Sequence, residues 1–159
     1  HPNPEPWDKS LSPILGLWGA LMPITAGLDA RFDLSADFSL AIKLLSLIIF
    51  LLGFVLSSYA LIENRFFSGM VRIQTERDHH VINSGPYRWM RHPGYAGAII
   101  NYLMVPFLLD SMWTFIPAIL STITIAIRTA LEDQTLQKKL DGYQDYAKQV
   151  RYRLFPGIW

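Results

Sequence analysis

The sequence predicts an all-α integral membrane protein with about four transmembrane helices, a cytoplasmic loop and a C-terminal helical tail. Hydrophobic residues make up 51% of the 159 residues and charged residues only 17%, whereas a soluble domain carries about 25% charged residues. The apolar residues are also grouped in long runs, and crossing a bilayer takes about 20 of them. The length suits one domain, residues 1–159.

Four apolar runs define the predicted spans, at about residues 10–28, 40–62, 94–109 and 111–128. Pro13 and Pro23 interrupt the first run, which carries no charge, and the second is the richest in Leu, Ile and Phe. The last two runs are short, and we expect them to form a tight hairpin turning at Asp110 and Ser111. A buried soluble hairpin is the alternative for this pair, but the longer runs have no soluble explanation.

Positive charge predicts the orientation. The loop 63–93 carries five arginines and the segment after Ile127 carries six Lys or Arg residues, while the other two loops contain only Arg31. The positive-inside rule therefore places the loop 63–93 and the tail 129–159 in the cytoplasm. Within the tail we expect a helix over residues 129–150, with a break at Gly142.

Several classes of protein are excluded or disfavoured. The chain contains no Cys, so disulfides, thiolate metal sites and Cys nucleophiles are excluded. A net charge of +1, without a basic block interleaved with aromatics, argues against nucleic acid as a partner. The N-terminus does not resemble a signal peptide. The chain begins at His1 and not at Met, so the prediction allows for helices before it.

The stretch 74–97 is too polar for the membrane and is the first candidate site. Pro93 suits the first position of a helix, and Gly94 then exposes backbone N–H groups that can bind a carboxylate. His79 and His80 are adjacent and lack a chelating helical spacing, so we predict no metal. A purely structural cytoplasmic loop is the alternative.

Charged residues at the end of the last span form the second candidate site. Arg128 and Glu132 are four residues apart and share a helix face, with Asp133 beside them. The sequence leaves two interpretations equally open, a polar site at the mouth of the bundle or a surface ion pair.

The residues of both sites resemble a known family. The resemblance is to the isoprenylcysteine carboxyl methyltransferase family, especially its bacterial branch. It is carried by three strings in this order: GPYRWMRHPGYAG, RTALEDQTL and GYQDYAKQVRYRLFPGIW. The related phospholipid N-methyltransferases share RHPxYxG followed by paired acids. The similarity covers about residues 64–159.

This resemblance implies a bacterial inner-membrane enzyme that uses S-adenosyl-L-methionine. It implies that Arg128 holds the carboxylate of a lipid-like or prenylated acceptor. The departures are a shorter spacing between Gln74 and Tyr87, Asp133 in place of Glu, and no additional N-terminal hairpin. The residues implied to bind the cofactor are Gln74, His79, His80, Val81, Ile82, Tyr87, His92, Pro93, Gly94, Tyr95 and Glu132.

The expected function is methyl transfer to a lipidic carboxylate such as that of isoprenylcysteine. Three alternatives remain: N-methylation of an aminolipid, an NADPH-dependent membrane sterol reductase, and a non-catalytic scaffold. A Rossmann methyltransferase is excluded, because no Gly-rich loop follows a strand. The sequence does not identify the acceptor or the oligomeric state.

Overall fold

The computed structural model describes residues 4–159, and within them the secondary structure is helical with no β-strand. The all-α prediction is confirmed. Two single-turn 3₁₀ helices, Thr75–Arg77 and Gly85–Arg88, lie in the long connection between the second and third α-helices. The α-helices are α1 (Asp8–Phe32), α2 (Leu40–Glu63), α3 (Pro93–Leu108), α4 (Phe115–Lys139) and α5 (Tyr143–Gln149).

Three helices, α1, α2 and α4, are long and apolar enough to cross a membrane. Helix α3 has only 16 residues, yet it runs antiparallel along the length of α2. Ser57 Oγ of α2 donates to the carbonyl of Gly94 at one end, and Lys43 pairs with Asp110 at the other. The outward faces remain apolar, as at Leu52, which is 64% exposed. Such a surface suits lipid contact rather than water.

Local sequence explains where the helices begin and end. The hydroxyl of Ser39 accepts from the backbone N–H of Ile42 and caps α2. Pro93 occupies the first position of α3, where a missing N–H costs nothing. Asp110 adopts a left-handed conformation between α3 and α4, in the predicted hairpin turn. Gly142, with φ of 78°, separates α4 from α5, as expected for a residue without a Cβ.

The structure divides the C-terminal part differently from the sequence prediction. The last span was expected to end at residue 128 and the tail helix to begin at 129, but α4 continues to Lys139 without interruption. Residues 109–114 form the turn, so α4 also begins later than expected. Charged residues that were assigned to a separate tail therefore project from the last turns of a long helix.

The long connection and the C-terminal segment meet at one end of the helices. The backbone N–H of Arg91 donates to the carbonyl of Tyr152 at 2.9 Å, and that of His92 donates to Arg153 at 2.8 Å. At the opposite end, Ser111 Oγ donates to Asp29 at 2.6 Å and ties the α3–α4 turn to α1. The two segments richest in arginine and lysine therefore share one end.

Helices α2 and α3 approach each other closely at two glycines. A Cβ on Gly97 would collide with the hydroxyl of Ser57 and the backbone of Gly53, and a Cβ on Gly53 would collide with Asn101. Glycines at such a crossing allow backbones to pack without intervening side chains. This contact fixes the position of α3, whose first turn carries candidate site residues.

Gly97→Ala should therefore destabilise the protein, because an added methyl group at this crossing must displace a backbone. We expect a loss of about 1–3 kcal/mol, typical of overpacking, measured as a lower melting temperature in detergent. Gly19→Ala is the matched control, since no atom lies within 4 Å of the added Cβ. Equal melting temperatures of the Gly97→Ala and Gly19→Ala variants would contradict a close α2–α3 contact at Gly97.

Candidate functional site

A cavity opens where the long connection meets α3, α4 and α5. It contains about 780 Å³ of empty space, counted out into the solvent at its open mouth. Residues of the first turn of α3 and the end of α4 form its floor. Most residues implied to bind the cofactor line this cavity, namely His79, His80, Val81, Ile82, Tyr87, His92, Gly94, Tyr95 and Glu132.

Two of the implied cofactor residues, Gln74 and Pro93, lie outside the cavity lining. The buried carboxamide of Gln74 donates to the carbonyl of Phe66 and accepts from Arg77 Nη1 at 2.8 Å. It therefore stabilises the fold of the connection. Pro93 is buried as the first residue of α3, where it sets the direction of the helix that carries Gly94 and Tyr95.

A fully buried carboxylate, that of Asp133, organises the floor of the cavity. Arg91 Nη2 donates to it at 3.1 Å, and Arg153 Nε donates at 3.0 Å. The Nε atom of Arg91 also lies 2.8 Å from it, without the alignment of a hydrogen bond. We call the full set the Asp133 cluster: Asp133, Arg91, His92, Gln137, Tyr143 and Arg153.

The remaining members of the Asp133 cluster connect it to the cavity. Tyr143 donates to Asp133 Oδ1 at 3.0 Å, and the His92 Nε2 atom lies 3.4 Å from the same oxygen. Burial, reinforced by the nearby carboxylate, raises the pKa of Tyr143 well above its ordinary value, so the phenol remains a donor. His92 and Tyr143 line the cavity. The cluster therefore fixes the position of both side chains.

Glu132 faces the cavity beside Tyr95. The Tyr95 hydroxyl donates to Glu132 Oε2 at 2.5 Å, and the Tyr95 ring is stacked with His92 at a centroid distance of 5.9 Å. The guanidinium of Arg128 also lies near Tyr95, 5.6 Å from the centre of its ring. Tyr95 therefore contacts the cavity floor, the acid and the arginine together.

Arg128, implied by the resemblance to hold an acceptor, is buried outside the cavity lining. It pairs with Asp8 at the start of α1, with Nε to Oδ1 at 2.8 Å and Nη2 to Oδ2 at 3.2 Å. Arg128 Nη2 also donates to the carbonyl of Gly69 at 2.7 Å. The surface-pair interpretation with Glu132 is thus wrong for this structure, because the arginine is buried and pairs with Asp8 instead.

Aromatic and histidine side chains form the outer part of the cavity. His79 stacks on Phe66 at a centroid distance of 4.5 Å. Burial, followed by the charges of His80 and Arg77, lowers the pKa of His79, so its ring is neutral at pH 7. Burial also raises the pKa of Tyr87 to about 12. Within residues 4–159 no group of three His, Asp or Glu side chains is placed to hold a metal.

Sequence reasoning missed the partners of two buried charged residues, Arg128 and Asp133. Asp8 was overlooked, although it is an isolated acid at the start of the first apolar run. Arg91, Tyr143 and Arg153 were not recognised as partners of Asp133, since they come from three separate segments. An acid directly after Glu132 on a helix must face elsewhere, and this was the available signal for a second, buried carboxylate.

The fold is that of a helical membrane protein with a cavity at one end of its helices. The chain belongs to the isoprenylcysteine carboxyl methyltransferase (ICMT) family, whose family model matches residues 44–138. The matched range includes most of α2, all of α3 and most of α4, together with much of the cavity lining. The predicted family is thereby confirmed.

Curated relatives match parts of the chain. "Probable protein-S-isoprenylcysteine O-methyltransferase" of Oryza sativa subsp. indica is 37% identical over 60 residues, which cover 37% of this chain and 31% of the rice protein. "Uncharacterized protein YpbQ" of Bacillus subtilis is 34% identical over 59 residues, covering 36% and 35%. Mouse "Delta(14)-sterol reductase TM7SF2" is 27% identical over 154 residues, covering 88% and 37%. The chain thus spans about a third of these relatives.

The fold is also found among solved structures. The eukaryotic intramembrane Ras methyltransferase ICMT superposes with a TM-score of 0.72 at 22% identity. The superposition covers 92% of this chain and 53% of that one. The helical arrangement described above is therefore that of a known membrane fold.

Removing the charge of Asp133 should destabilise the protein strongly. Asp133→Asn leaves two arginines facing a neutral amide in a buried site, and breaking such a pair costs about 3–5 kcal/mol. Thermal unfolding in detergent measures the loss. Asp145→Asn is the matched control, because Asp145 forms an exposed ion pair with Lys148 on α5. A melting temperature unchanged in both variants would contradict the role of the Asp133 cluster.

Proposed function

We propose that the protein transfers a methyl group from S-adenosyl-L-methionine to a lipidic acceptor, a carboxylate such as that of an S-prenylated cysteine. The observation that carries this proposal is the cavity at the end of the helices, where the His92–Tyr95 segment and Glu132 meet. It lies within a chain of the ICMT family. A cavity at this level is accessible to a water-soluble cofactor and adjoins the lipid phase.

The residues of the cavity suit S-adenosylmethionine. Gly94 lines the cavity at the second position of α3, where backbone N–H groups lack helical partners and favour a carboxylate. The Glu132 carboxylate complements the ammonium or sulfonium charge of the cofactor. The faces of Tyr95, Tyr87 and His92 offer aromatic surface to the adenine ring or to the cation.

When bound, this cofactor supplies a methyl group already activated on sulfur. The protein then has to align the acceptor with that methyl group and exclude water. The Asp133 cluster holds His92 and Tyr143 in fixed positions, and the buried side chains of Leu140 and Tyr146 also line the cavity. A carboxylate acceptor is already deprotonated at pH 7, so the reaction requires no general base.

The acceptor is proposed to enter beside the segment that follows α2. Phe67 and Met70 line the cavity and are 41% and 48% exposed, so they provide an apolar entrance for a prenyl or acyl chain. Arg128 remains the proposed partner of the acceptor carboxylate, because a guanidinium can form two parallel hydrogen bonds with it. For this contact, Arg128 must exchange Asp8 for the acceptor.

The predicted alternatives have weaker support. NADPH would require several cations to bind its phosphates, and two arginines near the cavity, Arg91 and Arg153, are engaged with Asp133. An aminolipid acceptor would have to lose a proton, and His92 would be the group best placed to accept it. Both alternatives predict different ligand preferences from a carboxylate methyltransferase.

We also propose that the connection 64–92 and the C-terminal segment face the cytoplasm of a bacterial inner membrane. These two segments carry most of the arginine and lysine residues, as the positive-inside rule expects for cytoplasmic regions. Cytoplasmic S-adenosylmethionine would then reach the cavity directly.

The proposed cofactor site predicts that His92→Ala and Glu132→Ala weaken the binding of S-adenosylhomocysteine. Loss of a polar contact in a partly dehydrated site costs about 1–3 kcal/mol, or roughly 5- to 150-fold in affinity. Calorimetric titration of the detergent-purified variants measures this change. Gln134→Ala serves as the matched control, because it alters an exposed residue of the same turn of α4. Wild-type affinity in both folded variants would refute the site.

A further inference from the structure

One wall of the cavity is held in place by the N-terminal end of α1. We define the wall segment as residues 68–72, which include Met70 and Val71 of the cavity lining. The N–H of Val71 donates to Asp8 Oδ2 at 2.7 Å, and its carbonyl accepts from the N–H of Glu5 at 2.9 Å. Both backbone groups of Val71 are thus bound to residues 5–8.

Arg128 binds the same wall segment and the same acid. Its guanidinium donates to the Gly69 carbonyl and, through two nitrogen atoms, to the two oxygens of Asp8. Ser12 Oγ donates to Asp8 Oδ1 at 3.1 Å. The Asp8 side chain is completely buried. Its two oxygens accept from two nitrogen atoms of Arg128, which is the two-point contact that a guanidinium forms with a carboxylate ligand.

The charges around Arg128 leave no place for an additional carboxylate. Asp8 already neutralises the guanidinium, and a second carboxylate, that of Glu132, accepts a hydrogen bond from the nearby Tyr95 hydroxyl. A third acid would face two carboxylates and a single cation in a poorly hydrated site, where like charges repel strongly. An acidic acceptor can therefore reach Arg128 only if Asp8 leaves it.

We propose that Asp8 occupies the acceptor-carboxylate position as an internal competitor, and that an acidic acceptor displaces it and releases the wall segment. This inference rests on the proposed function. Asp8 is then a specificity-determining residue, because it sets how strongly an acceptor must bind Arg128 before the wall segment can move. Its removal should favour acidic ligands and leave neutral ligands unaffected.

Asp8→Asn tests this proposal, because the amide still accepts from the Val71 N–H but carries no charge. The acceptor probe is N-acetyl-S-farnesylcysteine, and its carboxamide is the neutral competitor. We expect the KM for the acid to fall by roughly fivefold or more, the lower end of typical coupling between sites. The inhibition constant of the carboxamide and the affinity for S-adenosylhomocysteine should stay unchanged.

Glu5→Gln is the matched control in the same segment. It removes a carboxylate that pairs with the half-exposed Lys139 and has no contact with Arg128, so the KM for the acid should equal that of the wild type. Ser12→Ala provides a milder test, since it removes one hydrogen bond to Asp8 and keeps the ion pair. The KM for the acid should fall in the same direction, by less.

Ligand-dependent melting temperatures separate competition from a structural role. Asp8→Asn leaves Arg128 without a counter-ion, so the acid should raise the melting temperature of this variant more than that of the wild type. The carboxamide should raise the melting temperatures of the variant and the wild type equally. An unchanged or higher KM for the acid in folded Asp8→Asn and Ser12→Ala would overturn the role of Asp8. If wild-type protein does not methylate the acid, the proposed function fails as well.

Discussion

The structure depends on one buried carboxylate, that of Asp133. It lies on α4 and accepts hydrogen bonds from the segment before α3, from α5 and from the C-terminal segment. A buried ion of this kind is tolerated only with cations and several donors around it. Three chain segments therefore meet at this carboxylate, at the end of the membrane helices.

This constraint explains why the cavity can be both polar and well defined. The apolar parts of α1 and α2 face outward and position the helices in the membrane. The close α2–α3 crossing then fixes the first turn of α3, and the Asp133 cluster fixes His92 beside it. Fixed donors, acids and aromatic faces are what a methyl-transfer site requires, because the chemistry depends on alignment and exclusion of water.

The sequence predicted the helices well, because long apolar runs and caps such as Ser39 and Pro93 are local signals. It also led to nine residues of the cavity lining, though through the family resemblance. The pairing of Arg128 with Asp8 was not predictable, since these residues lie 120 positions apart and come together only when α1 packs on α4. The hydrogen bonds of Gln74 to Phe66 and Arg77 were likewise not predicted, since the sequence does not show how the loop folds back on itself.

The cavity is proposed to bind S-adenosyl-L-methionine. Calorimetric titration of the detergent-purified protein with S-adenosylhomocysteine and, separately, with NADPH tests it most directly. We expect saturable binding of S-adenosylhomocysteine and none of NADPH, because Arg91 and Arg153 already neutralise Asp133. Saturable binding of NADPH without binding of S-adenosylhomocysteine would contradict it.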